Sequence, residues 1–152
     1  MSVLRVVAYG TPRPQGSKRH VGRGILVESS NVKPWRESIH HATLEAIKVT
    51  GWERATGAVG VEASYYFDRP RTHYRTGKNA TLLRDNAPVF PHGRAQGDVE
   101  KLARAAHDAL TSAGAWVDDC QVAWLTCGKR WTSTDVFALD RPGVILTLRL
   151  LA

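Results

Sequence analysis

The stretch 98–131 constrains the fold more than any other. Within 98–112 the apolar positions Leu102, Ala105, Ala106, Ala109 and Leu110 recur at the three- and four-residue spacing of a helix with one apolar stripe. Gly114 follows as a natural C-terminal stop. Acidic residues bracket this helix, with Asp98 and Glu100 at its start and Asp118 and Asp119 just past its end. A strand is expected next, over 121–131, so the chain folds back along the helix it has just left. A helix whose stripe packs on a returning strand needs a sheet, and a mixed α/β domain is the expectation.

The remaining elements fit that frame. Val3–Tyr9 is a β-rich run closed by Gly10 and the pair Pro12 and Pro14. Residues 24–27 suggest a short strand. Ser30 or Asn31 can cap a helix with Pro34 in its first turn, running to about Val49 and stopping before Gly51. Its apolar positions are Trp35, Ile39, Ala42, Ala46 and Val49. Residues 57–67 alternate, placing Val59, Val61, Ala63, Tyr65 and Phe67 on one face. A last strand is expected over Gly143–Leu150. The sum is one α/β domain over residues 1–152, with a mixed sheet of about five strands and two main helices.

Charge narrows the function. Lys and Arg number 21 against 14 Asp and Glu, a formal charge of +7. An excess of that size points to a polyanionic partner. The stretch 68–97 has little periodicity, which in a loop of that length signals function or disorder. It carries Arg69, Arg71, Arg75, Lys78, Arg84 and Arg94 against Asp68 and Asp85. Arg13, Lys18, Arg19 and Arg23 form a second basic arm with no intervening acid. The two together favour phosphate contacts. Carboxylates gathered on so basic a chain suggest a division of labour. The basic surface holds nucleic acid, and the acidic pocket holds a hard cation such as Mg²⁺, which takes carboxylate oxygens.

Other classes are excluded or weak. Two cysteines, Cys120 and Cys127, are too few for a disulfide framework or a four-cysteine zinc site. On a single strand their odd separation would put them on opposite faces, so reduced thiols and a cytoplasmic setting are expected. No N-terminal signal segment and no apolar run of transmembrane length is present. The stretch 10–16 lacks the Gly-Lys-Ser/Thr ending of a phosphate loop. His40 and His41 are adjacent and so point apart on a helix, away from zinc-site spacing. Trp52, Trp116, Trp124 and Trp131 are expected in the core, with Trp116 packed under the acidic turn.

The acidic segment also resembles a known family. Gly97-Asp-Val-Glu-Lys-Leu-Ala-Arg104, then Asp108-Ala-Leu110, then Gly114-Ala-Trp-Val-Asp-Asp-Cys-Gln-Val122 is similar to the RusA family of Holliday junction resolvases. That family reads Asp-x-Asp-Asn-x-x-Lys, Asp-Ala-Leu and Gly-x-x-x-Asp-Asp-x-Gln-Val, at the same spacing. The segment Gly10-Thr-Pro-Arg-Pro-Gln-Gly-Ser-Lys-Arg19 and Trp35-Arg36 look like its phage and prophage branch.

The resemblance implies an endonuclease that resolves four-way DNA junctions as a homodimer by paired symmetric cuts, using Mg²⁺ with Mn²⁺ as substitute. It also implies a phage- or prophage-encoded protein acting in the bacterial cytoplasm. Its metal-binding positions fall on Asp98, Glu100 and Asp119, and its lysine falls on Arg104. Glu100 is one methylene longer than the family aspartate. Arg104 holds its proton too tightly to donate it, and Lys101, where the family has Asn, could supply an ammonium instead. Arg13, Lys18, Arg19, Arg69, Arg71, Arg75 and Lys78 are the expected DNA contacts. A nuclease for flaps or forks, and a non-catalytic DNA-binding protein, are the alternatives.

Overall fold

The structure is a computed structural model. It describes residues 2–16, 19–20, 22–24, 26–27 and 31–152, with backbone alone for 19–20 and 26–27. The elements run β1 (Val3–Tyr9), β2 (Arg19–His20), β3 (Leu26–Val27), α1 (Val32–Thr50), β4 (Val59–Phe67), α2 (Val99–Ala113), β5 (Val122–Trp131) and β6 (Gly143–Leu150).

Four strands form the main sheet, in the order β1-β6-β4-β5. β6 pairs antiparallel with both β1 and β4, and β4 pairs parallel with the edge strand β5. The expected fifth strand is the short β3. Among the described residues it pairs only with β2, as a separate two-residue ribbon. It is not a strand of the main sheet, which corrects the count of that sheet to four.

One sheet face carries the core. Leu4, Val6 and Ala8 meet Leu148, Leu146 and Val144, which in turn meet Val61, Ala63 and Tyr65. All nine are buried, as period-two alternation requires of a half-covered sheet. The last strand, expected over Gly143–Leu150, forms over those residues. The helices cover this face, Trp35 and Ile39 from α1 and Leu102, Ala105, Ala106, Ala109 and Leu110 from α2. Small residues on α2 let it lie close to α1. Val49, counted above in the α1 stripe, is instead 76% exposed, because the stripe drifts off the sheet in the final turn before the left-handed Gly51. Asn31 occupies the N-cap of α1 without a side-chain cap bond, and Ser30 lies outside the described residues.

Of the four tryptophans expected in the core, Trp52, Trp116 and Trp131 are buried and Trp124 is not. The β4–β5 register shifts after Val59, which faces Val122, so that Gly60 faces Trp124 and Ala123 is an extra residue. Such a bulge re-aims the strand. Here it turns Trp124, 70% exposed, onto the uncovered sheet face.

Candidate active site

α2 begins at Asp98, which has the extended backbone of an N-cap but no side-chain cap bond. Its carboxylate faces Lys101 Nζ instead, at 3.5 Å. Glu100 stands in the first turn, where the helix dipole favours an anion. It lies within electrostatic reach of Cys127 on β5, whose thiol is pushed up first by burial and then by that charge. Among the described residues Glu100 makes no ion pair with Arg104, so the plain surface bridge possible at that spacing is not formed.

Beyond Gly114 the chain makes a 3₁₀ turn, Asp119–Gln121. Asp118 caps it by accepting from the Cys120 backbone N–H at 2.8 Å. That bond holds the exposed Asp118 carboxyl below its ordinary range. Gln121 pins the turn from the other side, donating to the Ala55 and Gly57 carbonyls and accepting from the Val117 and Asp118 amides. Cys120 therefore lies in a turn, not on the strand with Cys127, and both thiols are free.

Trp116, fully buried, packs beneath this turn as expected. Its Nε1 donates to Thr111 Oγ1 at 2.6 Å, its carbonyl accepts from Arg54, and its ring meets His107 edge-on at 5.5 Å. Burial pushes His107 below its ordinary value, and the Asp119 and Asp108 charges partly offset this. Asp119 thus lies within electrostatic reach of His107 on α2. His107 is two turns, about 10 Å, along the helix from Glu100. Among the described residues no three His, Cys, Asp or Glu side chains form a metal-holding group. This donor set suits Mg²⁺ in one respect: that ion is usually held by one or two carboxylates, with water and substrate phosphate completing its shell.

A cleft of about 340 Å³ opens at the start of α2 between Asp98, Lys101, Lys129, Arg94, His92 and Pro14. Lys129 reaches it from β5 and donates to the Gly97 carbonyl at 2.8 Å. Lys129 and His107 are the residues the sequence reading missed. The alternation of β5 and the seven-residue spacing from Glu100 to His107 were the available signals.

The basic segments divide in two. Residues 69–94 form an ordered lobe, built on short 3₁₀ turns and a bridge between Tyr74 and Leu83. Several of its arginines hold it together. Arg69 donates to the Pro88 carbonyl and covers Trp131, Arg75 bonds the Leu83 carbonyl and Asp85, and Arg84 bonds the Tyr74 carbonyl. Arg71 and Lys78 are exposed. Arg71 lines a cleft of about 650 Å³ with Tyr74, Arg75 and Arg84. Arg13 lies beside the α1 N-terminus. Lys18 and the Arg19 side chain fall outside the described residues. His40 accepts from or donates to Ser112 at 2.8 Å and meets His41 edge-on.

Comparison with known families gives one match. The model for endodeoxyribonuclease RusA matches residues 8–138. That span runs from the end of β1 through β5 and holds every candidate residue named above. No curated protein matches the chain.

Proposed function

The chain belongs to the RusA endodeoxyribonuclease family, and from that premise we propose that it is an Mg²⁺-dependent nuclease that resolves four-way DNA junctions by paired symmetric cuts. The observation that carries the reading is Asp98 set among Lys101, Lys129 and Arg94 around one cleft, with Glu100 in the same first turn of α2. A carboxylate ringed by cations suits a phosphodiester that must be held while a metal approaches it.

Asp98, Glu100 and Asp119 would hold the cation, with Mn²⁺ as substitute. A divalent ion supplies Lewis acidity toward a phosphate oxygen and makes water a stronger nucleophile at neutral pH. The chain's own cations do the rest. Lys101 and Arg104 offset charge that develops on phosphorus in the transition state. Lys129, tied to Gly97, keeps positive potential at the cleft floor. Arg13, Lys18 and Arg19, with Arg69, Arg71, Arg75 and Lys78, read junction shape through the backbone. No helix among the described residues is long and apolar enough to cross a membrane, and work in the cytoplasm on phage or host DNA fits the reading.

Symmetric cuts call for a second copy, because a closed two-fold dimer uses one interface twice and brings two sites. Support comes from the free edge of β5, where Trp124 and Leu125 are 70% and 41% exposed. An uncovered apolar edge invites pairing. The test is cleavage of a synthetic mobile four-way junction with and without Mg²⁺, beside flap and fork substrates. Paired nicks at symmetric positions are expected, whereas single nicks on flaps or no cleavage would overturn the reading.

Two predictions arise here. Glu100→Asp restores the family residue and is expected to keep or raise the cleavage rate. A dead Glu100→Asp protein would mean the pocket is built around the longer side chain. Arg71 and Arg75 both line the lobe cleft, but only Arg75 is tethered to the lobe. Replacing both by Ala is expected to weaken binding to all junction sequences alike. The log–log salt slope should fall by about one unit per lost phosphate contact, and an unchanged slope would put the DNA elsewhere.

A further inference from the structure

Residues 14 and 15, beyond β1, lie against α2 and its N-terminus, where three contacts fasten them. Gly97, at φ +73°, has no room for a side chain, because a Cβ there would meet the Pro14 ring at 2.6 Å. The Gln15 backbone N–H donates to the Lys101 carbonyl at 3.0 Å. The Gln15 side-chain amide donates to Asp108 Oδ2 at 2.6 Å, while its Oε1 accepts from Arg36 Nη1 at 2.9 Å. Arg36 itself stands 3.9 Å from Asp108.

The chemistry of this clamp is specific. A carboxylate accepts and a guanidinium donates, so the side chain between them must donate on one side and accept on the other. An uncharged amide does both. Glu or Lys at this position would satisfy one neighbour and oppose the other. The three partly buried groups join the β1–α1 segment, α1 and α2, and they lie far apart in sequence. Contacts at residues 97 and 101 bracket Asp98, and the contact at 108 stands two turns beyond 101. The clamp therefore runs beside α2 from its Asp98 end.

We propose that Gln15 is a positioning residue. It holds the basic segment that includes Arg13 against the acidic helix, so that phosphate contacts and carboxylates meet the same DNA strand in a fixed relation. This rests on the nuclease reading above, and it assigns Gln15 no contact with the reacting phosphate.

The test is a polarity swap. Gln15→Glu sets a second carboxylate against Asp108. The double variant Gln15→Glu with Asp108→Asn rebuilds the pair, with the amide now on α2 and the acid facing Arg36. Hydrogen exchange at residues 10–16 reads docking without reference to activity. Binding and cleavage of a fluorescent four-way junction read the consequence. Gln15→Glu is expected to lose protection at 10–16 and to raise Kd and KM about tenfold, the worth of one charge-assisted hydrogen bond, with kcat falling less. The double variant should recover both. Three results would overturn the proposal: unchanged protection in Gln15→Glu, lost protection with unchanged Kd and KM, or no recovery in the double variant. Failure of the nuclease reading would look different, with the wild-type protein cutting no junction while exchange and binding still respond to the swap.

Discussion

Asp119→Asn is expected to abolish junction cleavage while junction binding stays the same or tightens. Asp119 is exposed in the turn that leads into β5, so its loss should leave the fold intact. What goes, on the proposed reading, is a hard anionic donor to the cation. Outer-sphere partners of a metal ligand alone cost ~10–100-fold when removed, so loss of a ligand should reduce the rate by more than ~100-fold. Binding responds in the opposite sense, because one fewer carboxylate faces the phosphates. Parallel gel-shift and cleavage assays on one junction, with circular dichroism as a fold control, would check this. Loss of binding by a folded Asp119→Asn protein would show that the residue serves the DNA interface instead.

The second large effect is on stability. Trp116→Ala removes a fully buried indole, the hydrogen bond to Thr111 and the edge contact with His107. Truncating a buried tryptophan costs roughly 3–5 kcal/mol. For a chain of this size that corresponds to a fall in Tm of roughly 6–20 °C. The Ala55 amide bonds the Ala115 carbonyl, Trp52 Nε1 donates to the same carbonyl, and Arg54 holds that of Trp116. The variant therefore undercuts the floor of the Asp118–Asp119 turn as well as the core. Thermal melts would measure the loss, and a change in Tm below about 3 °C would mean the turn stands on its other supports. Phe at this position keeps most of the volume and should recover much of the stability, though not the bond to Thr111.

How much of this could be read from the residues varies with the element. Both helices were legible because α2 carries its stripe between an acidic start and a glycine stop, and α1 has Pro34 near its start and Gly51 beyond its end. Of the long strands, β4 was legible through alternation and β1 through its β-rich run. The pairing of β2 with β3 was not, since two residues carry no period. Trp124 was placed wrongly because the bulge at Ala123 depends on the register with β4, and no local pattern encodes register. The acidic residues announced themselves against a basic chain, but where Asp119 would come to rest relative to α2 depended on the turn that Gln121 ties to Ala55 and Gly57. In the 69–94 lobe the basic residues read as phosphate contacts. Arg69, Arg75 and Arg84 also bond backbone carbonyls, a use of guanidinium that composition does not reveal.

The position of β6 in the sheet has a consequence for how the protein is made. β6 lies between β1 and β4 and pairs with both. Until β6 has been made and is free to pair, the main sheet, among the described residues, gives β1 no strand neighbour and β4 only β5. The core face of Leu146 and Leu148 is missing, and α1 and α2 have half a floor. Folding must wait for contacts that join residue 3 to residue 149, and such long-range closure is slow. A nascent chain carries the acidic residues around α2 without the sheet that positions them. A chain shortened before Gly143 should therefore be inert as a nuclease.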